Sequence, residues 1–504
     1  MFPSKITIIK MTARLKKTIT CLQIAMAAIF ILYALFYKLG NLPYRIWDES
    51  RLITSAYEMQ KGGSLIVTTI NGAPDMWNTK PPLMIWAQAA SIKLLGLSEF
   101  SSRFPAAFCA LLTILLVAYF IRYVTKNNWA SLLSVIVLST SVGFIGFHCA
   151  RNGDYDSMLT FFTTAYLVCL FMYTEHDGPK RNRYLLLFFV FLTGAVLTKG
   201  IAGMLFAPVL ALYIIFRKQL ISTLTNKYFY VGTLAFAACI VGYYLLREHY
   251  NPGYLQAVYE NELGGRFSTV NEGHEGPWHF YWDAIRWRSF GEWYWVLPSA
   301  IVALFFMGSN IKRRAMAFSL FAAILFIVII SSSATKLEWY SMPAYPLFAI
   351  VAGLLFNQLA NVAALLPKIN RTWAIVLLIT IFSVQPTWNL YNYIKRNYDD
   401  LEQDSFYSTA YYFKDIMKGN KELKKETTFL YSSYSLQFLL YANAMIDAGK
   451  PLKLESYTEK NTFKPGDRVL LNHWVAKNYI DSTYNTTVLE SFYDVKLCLI
   501  ESHK

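Results

Sequence analysis

Long apolar runs constrain this chain more than anything else in it. A transmembrane helix needs about 20 mostly apolar residues, with roughly 17–25 the usual range. On that length, spans fall near 19–38, 104–122, 129–147, 157–173, 184–198, 200–216, 228–246, 293–309, 315–332, 341–357 and 372–389. The run Leu83–Leu97 is also apolar, but it is short, carries Lys93 and follows two prolines. It reads as a helix lying at the membrane surface. Of the 504 residues, 55% are hydrophobic and 16% charged, against about 25% charged in soluble domains. Such a chain is an integral membrane protein with some soluble part, mainly α, with about 11–13 transmembrane helices.

The net charge is +15. The basic residues are scattered between the apolar runs rather than gathered in a stripe or arm, so nucleic acid is not the partner they predict. Membrane orientation explains them better. Lys5, Lys10, Arg14, Lys16 and Lys17 precede an apolar run from Thr18 to Tyr37. That run is long, lacks a small-residue cleavage site and is followed by many more spans. It reads as an uncleaved first helix rather than a signal peptide.

The positive-inside rule then orders the loops. With the N-terminus inside, Arg122 and Lys126 fall inside. So do Lys180, Arg181 and Arg183, then Arg217, Lys218 and Lys227, then Lys312, Arg313 and Arg314, and finally Lys368 and Arg371. The first outer loop, 39–103, falls outside. So do residues 148–156, Lys199, the large loop 247–292, residues 333–340 and the tail from about 390. The alternation fails if Leu83–Leu97 also spans.

The outside segments collect Asp48, Glu49, Arg51, Glu58, Lys80, Arg151, Asp154, Asp156, Lys199, Glu262, Arg266, His274, Lys336, Glu338 and Tyr340. Ionisable groups beside a span are costly unless paired or wet, so their clustering marks a functional site. Lys199 stands alone in Leu197-Thr198-Lys199-Gly200 between two apolar runs. A lone lysine there suits an anion such as a phosphate.

Asp48 is the leading candidate for a catalytic base. A carboxylate at the water–membrane boundary loses solvation, which moves its pKa toward the working range. Glu49 has a structural or a metal-binding alternative, and Arg51 either clamps an anion or pairs Asp48. Lys80-Pro81-Pro82 fixes one basic group at the start of a rigid segment, with a snorkelling lysine as the alternative. Asp154-Tyr155-Asp156 has the DxD spacing of some divalent-metal sites, although Asp156 also suits the N-terminus of a helix starting at Ser157. Loop 247–292 carries Arg266, His274, Trp278, His279, Tyr281 and Trp282. An interfacial aromatic belt explains such residues, and so does stacking against a sugar. None of the six cysteines forms a CxxC pair, so neither a disulfide framework nor a zinc site is expected. GxGxxG, P-loop, HExxH and GxSxG motifs are absent from the sequence, which argues against a soluble nucleotide-using enzyme.

The tail, 391–504, changes character. It is polar, with β-like runs at Thr427–Tyr431, Leu436–Tyr441 and Arg468–Leu471, and a turn at Lys464-Pro465-Gly466-Asp467. It is long enough for a small α/β domain. The expected organisation is therefore a transmembrane domain, 1–390, and an extracytoplasmic C-terminal domain, 391–504.

One ordered set of residues resembles a known family. It runs Asp48-Glu49-Ser50-Arg51, Ala56-Tyr57-Glu58-Met59, Asn71-Gly72, Thr79-Lys80-Pro81-Pro82-Leu83 with Trp86, then Gly96, Glu99 and Arg103-Phe104-Pro105. This is similar to the first outer loop of the polyprenyl-phosphate-dependent GT-C glycosyltransferases, of the lipid A aminoarabinose transferase and protein mannosyltransferase kind. Asp156-Ser157-Met158-Leu159, Thr198-Lys199-Gly200 and Glu338-Trp339-Tyr340 with Pro343 and Pro346 resemble later motifs of the family.

The resemblance implies a GT-C fold and transfer of a sugar from a lipid-phosphate carrier to a lipid or protein acceptor outside the cytoplasm. It implies Asp48 and Asp156 as the functional acids. Arg51, Lys80, Lys199 and Tyr340 are implied around the donor phosphate, with Glu49, Glu58, Arg266 and His274 in support. The aminoarabinose transferases usually carry a glutamate before the lysine of the KP motif, where it helps bind metal. This chain has Thr79 there, so a divalent metal is an open question. Two rivals remain at this point. A lipid-linked-sugar transporter or flippase predicts paired repeats and midplane charges. A non-catalytic envelope assembly protein does not require the ordered loop charges.

Overall fold

Among the described residues, seven apolar runs form helices long and apolar enough to cross a bilayer. They are Lys17–Phe36, Glu99–Thr125, Asp156–Glu175, Gly178–Met204, Lys227–Tyr250, Ile311–Ser331 and Glu338–Ala363. The chain is a multi-pass membrane protein. The structure, a computed structural model, describes residues 5–146, 148–264, 270, 273–308, 310–363, 371–396, 405–432 and 434–504. Arg266 and Lys368 lie outside the described residues.

The other four expected spans are helical but broken, short or only partly described. Run 129–147 divides at Ser141 into Asn128–Thr140 and Val142–Ile145. Run 200–216 opens as a tight turn, Gly200–Met204, and its α-helix covers only Ala207–Phe216. Run 293–309 belongs to a pair, Phe280–Ser289 and Gly291–Phe306, bent by 97°. Run 372–389 lies within the helix Arg371–Arg396, which contains Pro386. Gly200 takes a φ of +54°, a conformation glycine adopts without a Cβ penalty. The α-helix therefore stops at Lys199 and leaves that lysine at its end. Leu83–Leu95 is a 13-residue helix entered through Pro81-Pro82, as expected.

The loops sort to two ends. Glu175 pairs with both Arg217, at 3.0 Å, and Arg314, at 2.5 Å. Asn226 donates to Asn182 at 2.8 Å, and Asn127 donates to Asn357 at 3.1 Å. These residues lie in or beside the loops that the charge count puts on one face. Asn127, Asn226 and Asn310 each cap the helix that follows, accepting from Trp129, Tyr228 and Lys312 N–H groups. An asparagine at that position satisfies a backbone donor that the helix leaves unpaired.

The tail forms a mixed five-stranded sheet. After a two-residue ribbon in the first outer loop, β1 (Thr69–Ile70) and β2 (Ala73–Pro74), its strands are β3 (Thr427–Tyr431), β4 (Leu452–Ser456), β5 (Arg468–Leu471), β6 (Tyr484–Phe492) and β7 (Val495–His503). Their order is β4-β3-β5-β7-β6. β3 is parallel to β4 and β5, while β7 is antiparallel to β5 and β6. The expectation of a strand over Leu436–Tyr441 is corrected: this run begins the helix Leu436–Asp447. It is apolar at successive positions rather than alternating, and it continues into Ala442-Asn443-Ala444-Met445, which suits a buried helix.

That helix packs the tail onto the membrane part. Phe413, Leu439, Tyr441 and Leu470 share one core with Leu52, Ile53, Met84 and Ile85 of the first outer loop. Full burial of each such side chain contributes about 1.5–3 kcal/mol. Tyr441 Oη donates to Glu99 Oε1 at 2.6 Å and accepts from Tyr44 N at 3.1 Å. Lys414 Nζ lies 2.8 Å from the same Glu99 oxygen.

Candidate active site

Three consecutive residues, Asp154, Tyr155 and Asp156, each face a different partner. They precede or open the helix Asp156–Glu175 and are all buried. Asp154 bonds His148, whose ring stacks on Trp339 with centroids 3.8 Å apart. Tyr155 Oη and the Asn78 side chain bond each other at 2.8 and 3.1 Å. Asp156 receives Lys199 Nζ at 2.6 and 2.7 Å.

Lys199 and Asp156 are 7% and 1% exposed. A buried pair of this kind persists because removing either partner strands the other charge. Lys199 Nζ also lies 5.1 Å from the centre of the Tyr340 ring. Lys80 Nζ lies 5.6 Å from the Tyr155 ring centre and 3.5 Å from Glu262 Oε1. Thr79 Oγ1 donates to the same Glu262 oxygen at 3.3 Å. The carboxylate next to Lys80 thus arrives from residue 262, where Thr79 departs from the family pattern.

Lys80, Asp156, Lys199, Glu262 and Tyr340 line one cavity of about 230 Å³. Its remaining wall is largely apolar, including Leu159, Leu205, Phe326 and Ile330. The rim carries two ammonium and two carboxylate groups.

Asp48 opens the helix Asp48–Gln60 and does not line this cavity. One carboxylate oxygen of Asp48, one of Asp154 and a ring nitrogen of His148 lie within 4.8 Å of one another. Two carboxylates and an imidazole suit a divalent cation. These three residues would hold one, and its charge would stabilise anionic groups nearby. Burial raises the Asp154 carboxyl, but the His148 hydrogen bond and charge, then Lys199 and the Tyr155 N–H, hold it below the ordinary range.

The other expected residues have different partners. Arg51 pairs with Asp75 at 2.5 Å, not with Asp48, and does not line the cavity. Glu49 is fully buried against Arg103, with Nε–Oε1 at 2.7 Å and Nη2–Oε2 at 2.9 Å. It also accepts from Arg45 N and Gly153 N, both at 2.8 Å. Burial raises the Glu49 carboxyl, but the Arg103 charge and these hydrogen bonds bring it below its ordinary value. Arg103 donates further to the carbonyls of Leu39, Leu42 and Pro43. Glu49 and Arg103 therefore fasten the loop that carries Asp48.

Glu58 accepts from Thr69, Asn71 and Gly72 and so clasps the β1–β2 ribbon. His274 is exposed, and its carbonyl accepts from Lys336 N at 2.8 Å. His148 and Asp75 were not singled out from the sequence. Their signal is only that both are polar residues in segments expected outside, His148 in 148–156 and Asp75 in 39–103.

Trp47, just before Asp48, has φ 71° and ψ −120°. A bulky residue held there costs of order 1–3 kcal/mol. Its carbonyl accepts from Ser50 Oγ at 2.9 Å and Tyr434 Oη at 3.2 Å, and its ring stacks on Tyr434 at 4.4 Å.

Comparison with known proteins places this geometry. Residues 79–244 match the model of the dolichyl-phosphate-mannose-protein mannosyltransferase family. The fold is similar to the crystal structure of ArnT from Cupriavidus metallidurans bound to undecaprenyl phosphate. That similarity has a TM-score of 0.68 at 16% identity and covers 95% of this chain and 97% of that one. The chain has the GT-C fold of that transferase. An uncharacterised protein of Aquifex aeolicus is 28% identical over 70% of this GT-C chain and 67% of its own length. An undecaprenyl phosphate-alpha-4-amino-4-deoxy-L-arabinose arabinosyl transferase of Pseudomonas fluorescens is 25% identical over 70% of this chain. That match spans 60% of the transferase's own length.

Proposed function

We propose that this chain transfers a sugar from a polyprenyl-phosphate carrier to an extracytoplasmic acceptor, either lipid A, another envelope glycan or a protein. The reading places it in a bacterial inner membrane with its active site on the periplasmic face. The observation that carries it is the cavity of about 230 Å³, whose wall is largely apolar and whose rim holds Lys80, Lys199 and Tyr340. An amphiphile with an anionic head fits such a cavity. The name of the Pseudomonas relative, with its undecaprenyl phosphate donor, supports the same class of substrate.

In the proposed reaction the acceptor forms a bond to the anomeric carbon from the face opposite the phosphate, giving inversion. The bond from that carbon to the phosphate oxygen breaks, and its electron pair leaves on the polyprenyl phosphate. Lys80 and Lys199 stabilise that charge once the donor phosphate competes with Glu262 and Asp156 for them. A hydroxyl acceptor gives its proton to Asp48. A phosphate acceptor needs no base, and Asp48 then orients it. Asp156 keeps Lys199 in place at the end of its helix.

The test is transfer by the purified protein in nanodiscs, using radiolabelled undecaprenyl-phosphate sugars and an envelope extract as acceptor. Labelled product is expected, and Lys80→Ala with Lys199→Ala removes it. Movement of label across the bilayer of sealed proteoliposomes, with no product formed in either preparation, overturns the reading in favour of a transporter.

A further inference from the structure

Asp48 stands between two neighbours that are fixed from different sides. Glu49 is fully buried against Arg103, which belongs to the membrane helix Glu99–Thr125. Trp47 is held from the tail. Tyr434 lies in the turn between β3 and the helix Leu436–Asp447. Its Oη donates to the Trp47 carbonyl at 3.2 Å and lies 3.4 Å from Ser50 Oγ. Its ring stacks on the Trp47 ring, with centroids 4.4 Å apart and planes inclined by 29°. The same carbonyl accepts from Ser50 Oγ at 2.9 Å and from Arg51 N at 3.0 Å. It therefore closes the first turn of the helix that opens at Asp48.

The backbone at Trp47 needs such a hold. With φ 71° and ψ −120°, it occupies a region that glycine enters freely and a residue with a Cβ does not. Strained residues persist only where their surroundings over-determine them. Burial does not do this at Trp47, which is 57% exposed. Among the described residues, its hydrogen bonds and ring contacts come from its own turn and from Tyr434. Tyr434 is itself anchored, because the helix after it carries the buried Tyr441. That residue accepts from Tyr44 N at 3.1 Å and donates to Glu99 at 2.6 Å. The tail thus grips the outer loop at Tyr44 and again at Trp47. A Trp47 peptide that relaxed to an ordinary conformation would turn Asp48. Its carboxylate would then leave the group it forms, within 4.8 Å, with Asp154 and His148.

We propose that Tyr434 is a positioning residue, which holds Trp47 in its strained conformation and so aims Asp48 from the tail. The proposal rests on the transferase reading above, in which Asp48 takes the acceptor proton. Tyr434 does not line the lysine-rimmed cavity, so the sheet domain sets the rate of transfer without touching the donor. A tail that only covers the site would not show that selectivity.

The experiment uses the full chain in nanodiscs. Tyr434→Ala is expected to lower kcat for a hydroxyl acceptor at least about tenfold, as small misplacements of a reacting group do, while the donor KM stays within about twofold. Tyr434→Phe keeps the ring stack, loses the hydroxyl's bonds and falls between. In an Asp48→Asn background, Tyr434→Ala costs nothing further, because residues that act as a unit are not additive. Trp47→Gly and Trp47→Ala, each combined with Tyr434→Ala, both lack the indole ring and differ by the Cβ. The glycine variant is expected to be several-fold faster, since it takes the Trp47 conformation without that penalty. Equal rates for the two, a donor KM that moves with kcat, or an additive loss with Asp48→Asn overturns the proposal. Hydrogen exchange read by mass spectrometry needs no transfer. Tyr434→Ala should speed exchange over residues 45–51 and leave the tail's strands protected, and unchanged exchange there also overturns the proposal. Where Tyr434→Ala loosens the strands as well, Tyr434→Phe carries the same comparisons. No transfer by wild type, with the local change in exchange present, overturns the transferase reading and leaves the hold of Tyr434 on Trp47 standing.

Discussion

Lys199 and Asp156 are locked together, with the lysine Nζ 2.6 and 2.7 Å from the two carboxylate oxygens. Each was expected from the sequence to act on its own, the lysine on phosphate and the acid in catalysis. Their contact means that a donor phosphate meets a lysine already neutralised, and binding is an exchange of one anion for another.

This exchange separates stability from activity. Lys199→Met strands Asp156 and should lower stability by about 3–5 kcal/mol. The double variant Lys199→Met with Asp156→Leu replaces the pair by apolar groups, a change that is often neutral or stabilising. It is expected to regain most of the unfolding temperature while transfer stays absent. Thermal unfolding and transfer assays on the same preparations check this, and recovery of transfer by the double variant counts against the donor-binding role.

Lys80 has a looser partner, with Glu262 at 3.5 Å. Its loss should act on donor binding more than on folding. A hydrogen bond to a charged group contributes roughly 1.5–3 kcal/mol. Lys80→Ala should therefore raise the donor KM by about one to two orders of magnitude. Initial rates at varied donor concentration measure it, and an unchanged KM removes Lys80 from the donor site.

Asp48 is half-buried and, unlike Glu49, has no Arg103-like clamp among the described residues. Asp48→Asn is expected to slow transfer to a hydroxyl acceptor by about 10²–10⁴-fold. The unfolding midpoint should move little, since substitutions away from packed networks stay within about ±0.5 kcal/mol. Transfer at wild-type rate by the folded variant eliminates Asp48 as the base.

Glu49 should behave in the opposite way. Glu49→Gln leaves Arg103 buried without its counter-charge, at about 3–5 kcal/mol. The carboxyl is held below its unfolded value. Its contribution to stability is therefore complete above the unfolded pKa of about 4.5 and fades as pH falls through the lower folded value. The gap in stability between wild type and Glu49→Gln should be full at pH 7 and close on acidification below about 4.5. Denaturation midpoints across pH test this, and a gap that widens in acid contradicts the sign.

The sequence carried the helices and the charged outer loops plainly, because hydropathy and helix length are local properties. The breaks at Ser141 and Gly200 were less visible, since an apolar run looks the same whether its backbone bends or not. Side-chain partnerships were hidden. Arg51 meets Asp75 rather than Asp48, and Glu49 meets Arg103 across 54 positions. Such pairings depend on how segments pack, which spacing alone does not encode. The same reason explains Leu436–Tyr441, whose apolar residues suit a buried strand or a buried helix until its neighbours are in place. Resemblance supplied Arg51, Lys80, Lys199 and Tyr340 as a group; the last three line one cavity and Arg51 does not.

The Glu99 carboxylate sits at the top of a membrane helix and takes both Tyr441 and Lys414 from the sheet domain. Domain swaps between relatives must respect that junction. A chimera that exchanges only the tail would import a foreign face onto Tyr44, Glu99 and the helix Asp48–Gln60. The transplantable unit is the tail together with the first outer loop, so the placement of Asp48 would be inherited with the tail that packs against it.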